Sequence, residues 1–148
     1  MTRPLIAAAA FLFTLSAAGP AAAQTLRPST DENLEWAASV VQLNEVPNQP
    51  NLGVKLFGLA GGDPAMNGLM TYIGFYGSPG DGWRVFQIGD FVSYRILSAA
   101  LNRVNLQIQE NTINSEGVIG TRTRRISLRW TPGRGDERPA TVTMTRMR

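Results

Sequence analysis

The sequence predicts an all-β fold: a single antiparallel β-sandwich or small β-barrel of about seven to eight strands, following an N-terminal signal peptide. Three observations predict it. Apolar or alternating runs of five to thirteen residues recur from about Trp36 onwards, and clusters of Gly, Pro, Asn and Asp punctuate them. No sustained heptad or long 3.6-residue periodicity competes with that pattern. One hairpin, from Asn102 to Trp130, shows agreement between its turn residues and the parity of its apolar positions.

The amino-terminal segment reads as an export signal. Arg3 supplies a positive end, and Leu5 to Ala18 is an apolar run broken only by Thr14 and Ser16. Gly19-Pro20 then stops any helix, and Ala21-Ala22-Ala23 places small residues where a signal peptidase reads them. The run is shorter than the ~20 residues a membrane-spanning helix needs. Residues 1–23 are therefore expected to be removed after Ala23, leaving a periplasmic or secreted protein that is not transmembrane. Residues 24–33 are expected to form a flexible leader, and residues 34–148 a single β-rich domain.

Strands are expected in chain order as follows. Ser29-Thr30-Asp31-Glu32 matches a helix capping box. The stretch from Leu34 to Val46 fits both periods, and a short helical turn followed by a strand from about Trp36 is the favoured reading. Leu52 to Ala60 follows the Pro47–Asn51 loop. Leu69 to Tyr76 is apolar or aromatic at nearly every residue, the pattern of a strand covered on both faces. Trp83 to Ile88 and Phe91 to Leu97 flank Gly89-Asp90, which reads as a two-residue turn. Val104 to Ile113, Val118 to Trp130 and Ala140 to Met147 complete the series.

The Asn102–Trp130 hairpin can be read to its register. Val104, Leu106 and Ile108 share one face, with Asn105, Gln107 and Gln109 on the other; Ile126, Leu128 and Trp130 share a face of the return strand. A three-residue loop, Ser115-Glu116-Gly117, puts both apolar sets on one side, with Gly117 in the left-handed position of a type I turn plus bulge. Val104 then pairs with Leu128, Leu106 with Ile126, Ile108 with Arg124, and Glu110 with Arg122. That register places Glu110, Arg122 and Arg124 on the core side near the hairpin tip. Two accounts stand for the cluster: a seat for an anionic or sugar ligand, since the guanidinium fork suits planar bidentate recognition, or a cross-strand ion pair where the strands outrun the core.

Absent residue types narrow the chemistry. With no cysteine and no histidine, disulfides, thiolate or imidazole metal sites, and Ser-His-Asp or Cys-His catalysis are excluded. Neither a cofactor nor a metal is expected. Asp63, Asp81 and Asp90 sit in glycine-containing turns but in no full calcium-loop pattern. Arg134-Gly135-Asp136 is a three-residue adhesion-like match with little information. Trp83 and Tyr94, among the aromatics around Gly89-Asp90, are the remaining candidate ligand-binding residues, either as a stacking platform or as core.

Charge is divided along the chain. Residues 24–83 hold two basic against six acidic side chains, a net −4, whereas residues 118–148 hold eight arginines against two acids, a net +6. A basic end attracts anionic partners, which outside the cytoplasm means an envelope glycan, a lipid or an acidic protein rather than nucleic acid. The leading expectation is an exported, non-catalytic binding module for an anionic glycan or envelope component. The alternatives are a structural or inhibitory protein-interaction subunit and a small carboxylate-based hydrolase.

Overall fold

The computed structural model describes residues 32–61, 63, 66–133 and 137–148. The expected signal peptide, residues 24–31 of the expected leader with the Ser29 cap, and the Arg134-Gly135-Asp136 tripeptide lie outside the described residues. One short helix, α1 (Glu32–Ala38), precedes eight strands: β1 (Val40–Glu45), β2 (Gly53–Ala60), β3 (Leu69–Tyr76), β4 (Trp83–Phe91), β5 (Ser93–Ala100), β6 (Arg103–Ile113), β7 (Ile119–Trp130) and β8 (Val142–Arg146). They form two four-stranded antiparallel sheets, ordered β1-β2-β3-β4 and β5-β6-β7-β8, which do not close into one barrel. No helix among the described residues is long and apolar enough to cross a membrane.

A single apolar cluster joins the inner faces. Val54, Leu56, Ile73 and Phe75 come from the first sheet, and Val104, Leu106, Ile108, Ile126, Leu128 and Trp130 from the second. Phe75 meets Trp130 edge to face across the interface, with ring centroids 5.1 Å apart, a geometry that aligns ring edge with ring face. Polar bonds tie the layers at their margins. The Gln42 amide donates to the Tyr94 carbonyl at 3.1 Å, and the Gln49 amide to that of Ala100 at 2.7 Å.

The chain changes sheets at Val92, and here the structure departs from expectation. Gly89-Asp90 is not a hairpin turn: β4 runs through both residues to Phe91, paired with β3 throughout. A bulge at Ile88 makes this possible, because Tyr72 pairs with Gln87 while Thr71 pairs with Gly89. One extra residue reverses which face the following side chains occupy. Phe91 is thereby turned into the core, opposite Leu69. Gly89 sits at φ +155, where a Cβ would come within 3.1 Å of the Phe91 ring.

Three further expectations are corrected. The strand expected from about Trp36 begins at Val40; Trp36 lies in α1, whose end is closed by the Ser39 amide and hydroxyl, both donating to the Trp36 carbonyl. Glu32 and Asn33, assigned to the leader, are the first residues of α1. Among the described residues, no further layer packs on the outer face of β3. Its outward Tyr72 and Tyr76 pack along the sheet surface instead, stacked on Phe57 and tilted against Trp83.

The β6–β7 hairpin has the register derived from the sequence, continuous from Arg103↔Arg129 to Ile113↔Ile119 without a bulge. Gly117 lies at φ +78, its amide donates to the Asn114 carbonyl at 3.0 Å, and the Asn114 amide donates to that of Val118 at 3.1 Å. Side chains at such a φ carry a cost of about 1–2 kcal/mol. Gly117→Ala is therefore expected to lower unfolding free energy by about 1 kcal/mol in urea titration; an unchanged midpoint would count against this turn.

Candidate functional site

The expected cluster forms. Continuous alternation through β6 and β7 leaves Glu110 on the inner face in line with Ile108, and Arg122 and Arg124 in line with Ile126 and Leu128. Glu110 is 8% exposed. Its Oε1 accepts from Arg122 Nε at 3.1 Å and from Arg122 Nη2, and its Oε2 accepts from Arg124 Nη2 at 2.5 Å. Burial raises the Glu110 pKa, but hydrogen bonds and charge from Arg122 and Arg124 outweigh it, and the carboxyl lies below its ordinary value. Both carboxylate oxygens are thus occupied by the chain's own arginines. The cluster carries one net positive charge; Arg122 is half exposed and Arg124 partly so, while Glu110 is nearly covered.

The two aromatic candidates separate. Tyr94 is buried at 5% exposure in the core, where burial pushes its phenol up to about 12. It pairs with Ile108, which pairs with Arg124, so the three form a row across the inner face. The Tyr94 hydroxyl and Arg124 Nε are both buried without a hydrogen-bond partner among the described residues. Trp83 lies on the outer face of the first sheet, 46% exposed, with Lys55 Nζ 5.4 Å from its ring centroid. It belongs to an apolar surface that includes Phe57, Tyr72, Tyr76 and Val85 and continues onto β1. There the usual polarity is inverted. Val41 and Leu43 face outwards, Leu43 at 56% exposure, while Gln42 and Asn44 turn towards the core margin.

A third surface was not singled out from the sequence. The outer face of the second sheet carries Arg95, Arg103, Arg125 and Arg129 among Asn, Gln, Ser and Thr side chains, and no carboxylate stands on the outward positions of β5 to β8. Some of these polar groups satisfy one another across strands. Arg95 donates to Gln107 at 2.9 Å, Asn105 to Ser98 at 2.9 Å, and Thr121 to Asn111 at 3.0 Å. Arg103, Arg125 and Arg129 make no ion pair with any described residue. The signal for this face was present in the hairpin register, which already set Arg103 opposite Arg129 and Arg125 opposite Gln107. The registers of β5 and β8, which widen it into a surface, depend on a bulge between Ile96 and Ser98 and on the β7–β8 pairing.

The turn aspartates do not converge. Asp81 accepts from the Ser78 hydroxyl at 2.7 Å and Asp90 from the Gln87 amide at 3.3 Å, and no group of three or more possible metal ligands gathers among the described residues. No protein-family model matches the chain, and no curated protein or solved structure matches it.

The lowered Glu110 pKa fixes the sign of a pH effect. A carboxyl whose folded pKa is depressed stabilises the fold above its ordinary value of 4.5, and that contribution is lost as the pH falls through the folded value. Glu110→Gln is expected to cost about 2 kcal/mol at neutral pH, the scale of hydrogen bonds to a charged group. The gap between wild type and variant should narrow as the pH drops below the ordinary value of 4.5 and through the lower folded value. Urea titrations at neutral and acid pH check this, and a pH-independent gap would show that ionisation is not its source.

Proposed function

We propose that the protein is an exported, non-catalytic binding module for an anionic glycan or other anionic envelope component, engaged by the outer face of β5 to β8. The observation that supports this reading is the carboxylate-free display of four arginines on one sheet face, none of them in an ion pair among the described residues. Guanidinium groups recognise sulfate, phosphate and carboxylate bidentately, and neighbouring Asn, Gln, Ser and Thr supply neutral donors for sugar hydroxyls. The Glu110–Arg122–Arg124 cluster serves the site by holding the long hairpin together, since its carboxylate is already saturated. A carboxyl held ionised with both oxygens occupied is a poor proton donor, which argues against the carboxylate-hydrolase alternative.

A sulfated polysaccharide is a suitable probe. Its affinity is expected to fall roughly tenfold between about 0.05 and about 0.3 M NaCl, as the screening length shortens from roughly 14 to roughly 6 Å. The double variant Arg95→Gln, Arg125→Gln is expected to weaken binding about tenfold at low salt while keeping the wild-type melting temperature. Binding indifferent to salt, or unaltered by the double variant, would refute this reading.

A second reading, a protein-interaction subunit, is favoured by the apolar outer face of β1 to β4. Contiguous exposed apolar surface of this kind is common at protein interfaces. Here Leu43→Glu is expected to turn any self-associated or partner-bound form into a monomer by size-exclusion chromatography with light scattering. A wild type that is monomeric alone and in envelope extract would remove it.

A further inference from the structure

Within the arginine face, one position is built more closely than the rest. Arg103 and Arg129 are direct cross-strand partners on β6 and β7, with both side chains on the outer face. Like charges set opposite each other on a sheet repel, and neither arginine has a carboxylate partner among the described residues. The next outward pair along the ladder is Asn105↔Ser127. Ser127 is 6% exposed although it belongs to the polar face, and its Oγ is buried with no hydrogen-bond partner among the described residues. A native hydroxyl in that state is uncommon, because an orphaned buried polar atom loses its water without replacement. It lines a cavity of about 400 Å³ with Arg103, Asn105, Arg129, Thr145 and Met147, and the same two arginines border a second cavity of about 350 Å³.

We propose that Arg103, Arg129 and Ser127 form a subsite for a tetrahedral oxyanion, the phosphate or sulfate ester of a sugar-sized ligand. The inference rests on the anionic-ligand reading of this face and names the group recognised there. An oxyanion between the two guanidinium groups turns their repulsion into two attractions and supplies the acceptor that the Ser127 hydroxyl lacks. Forks from opposite strands plus a hydroxyl match three oxygens diverging from one centre, whereas a single fork already satisfies a planar carboxylate. Asn105 is committed to Ser98 and forms wall rather than donor. Space of a few hundred cubic ångströms exceeds one oxyanion and leaves room for the ring that bears it.

The test uses the mature chain and three probes, inorganic phosphate, inorganic sulfate and glucose 6-phosphate, followed by amide chemical shifts and by thermal stabilisation. Phosphate and sulfate are expected to shift the amides of residues 103–105 and 127–129 and to raise the melting temperature, as a ligand bound only to the folded state must. Glucose 6-phosphate should bind more tightly than inorganic phosphate. Ser127→Ala is expected to weaken phosphate about fivefold and Arg129→Lys about tenfold, the latter because a point charge replaces a fork. Lys55→Gln, on the outer face of the first sheet, should leave phosphate binding unchanged. Since Ser127→Ala removes only an orphaned hydroxyl, it should fold as wild type; should it not, Arg129→Lys carries the comparison. Polysaccharide binding that persists while phosphate shifts nothing, or affects Ser127→Ala as it does wild type, overturns the subsite and spares the face. Phosphate binding at the pair without polysaccharide binding upholds the subsite and overturns the larger reading.

Discussion

Side chains of β6 and β7 alternate between core and solvent without interruption because the two strands pair residue for residue from Arg103↔Arg129 to Ile113↔Ile119. A single bulge in this ladder would exchange the two faces beyond it. Leu106, Ile108, Ile126 and Leu128 would then meet water, and the outer arginines would meet the core. The same parity sends Glu110, Arg122 and Arg124 inwards and Arg103, Arg125 and Arg129 outwards. Segregation of charge in the second sheet therefore follows from one hydrogen-bonding register.

Physical chemistry separates the two groups of arginines. The inner pair shares a buried carboxylate, whose removal from water is costly unless opposite charge and hydrogen bonds replace the lost solvent. Three hydrogen bonds do so at Glu110, and the cluster stands near the hairpin tip, where Arg122 still reaches solvent. It is closed on itself. The outer arginines have no carboxylate partner among the described residues, and Arg103 and Arg129 have each other opposite. The Glu110–Arg122–Arg124 triad thus ties the two hairpin strands together, whereas the outer guanidinium groups stay open to solvent.

The first sheet has the complementary character. Its inner face shares the core, and its outer face is apolar and aromatic, with Phe57 stacked on Tyr72 and Tyr76 tilted against Trp83 along the surface, and no further layer over them among the described residues. β1 shows this most clearly. A lone edge strand normally buries its apolar positions, yet Val41 and Leu43 point outwards while Gln42 spends its amide on the Tyr94 carbonyl at the core margin. The molecule therefore presents an apolar face from β1 to β4 and a polar, cationic face from β5 to β8.

Most strand positions, the turn at Gly117 and the β6–β7 register were legible in the sequence, because a period of two, a three-residue glycine loop and short-range pairing are local properties of the chain; the start of β1 and the β4–β5 boundary were not. Absence of histidine and cysteine likewise narrowed the chemistry before any fold was known. Tertiary structure alone decided the rest. Whether Gly89-Asp90 turned or continued depended on the burial of Phe91 against Leu69, a contact between strands that the local glycine signal cannot encode. That no further layer packs on the outer face of β3 among the described residues depended on how many layers the chain builds. The saturation of Glu110 and the orphaned hydroxyl of Ser127 depended on neighbours brought together by pairing and packing. Periodicity assigns a side chain to a face; only the assembled sheets determine what that face meets.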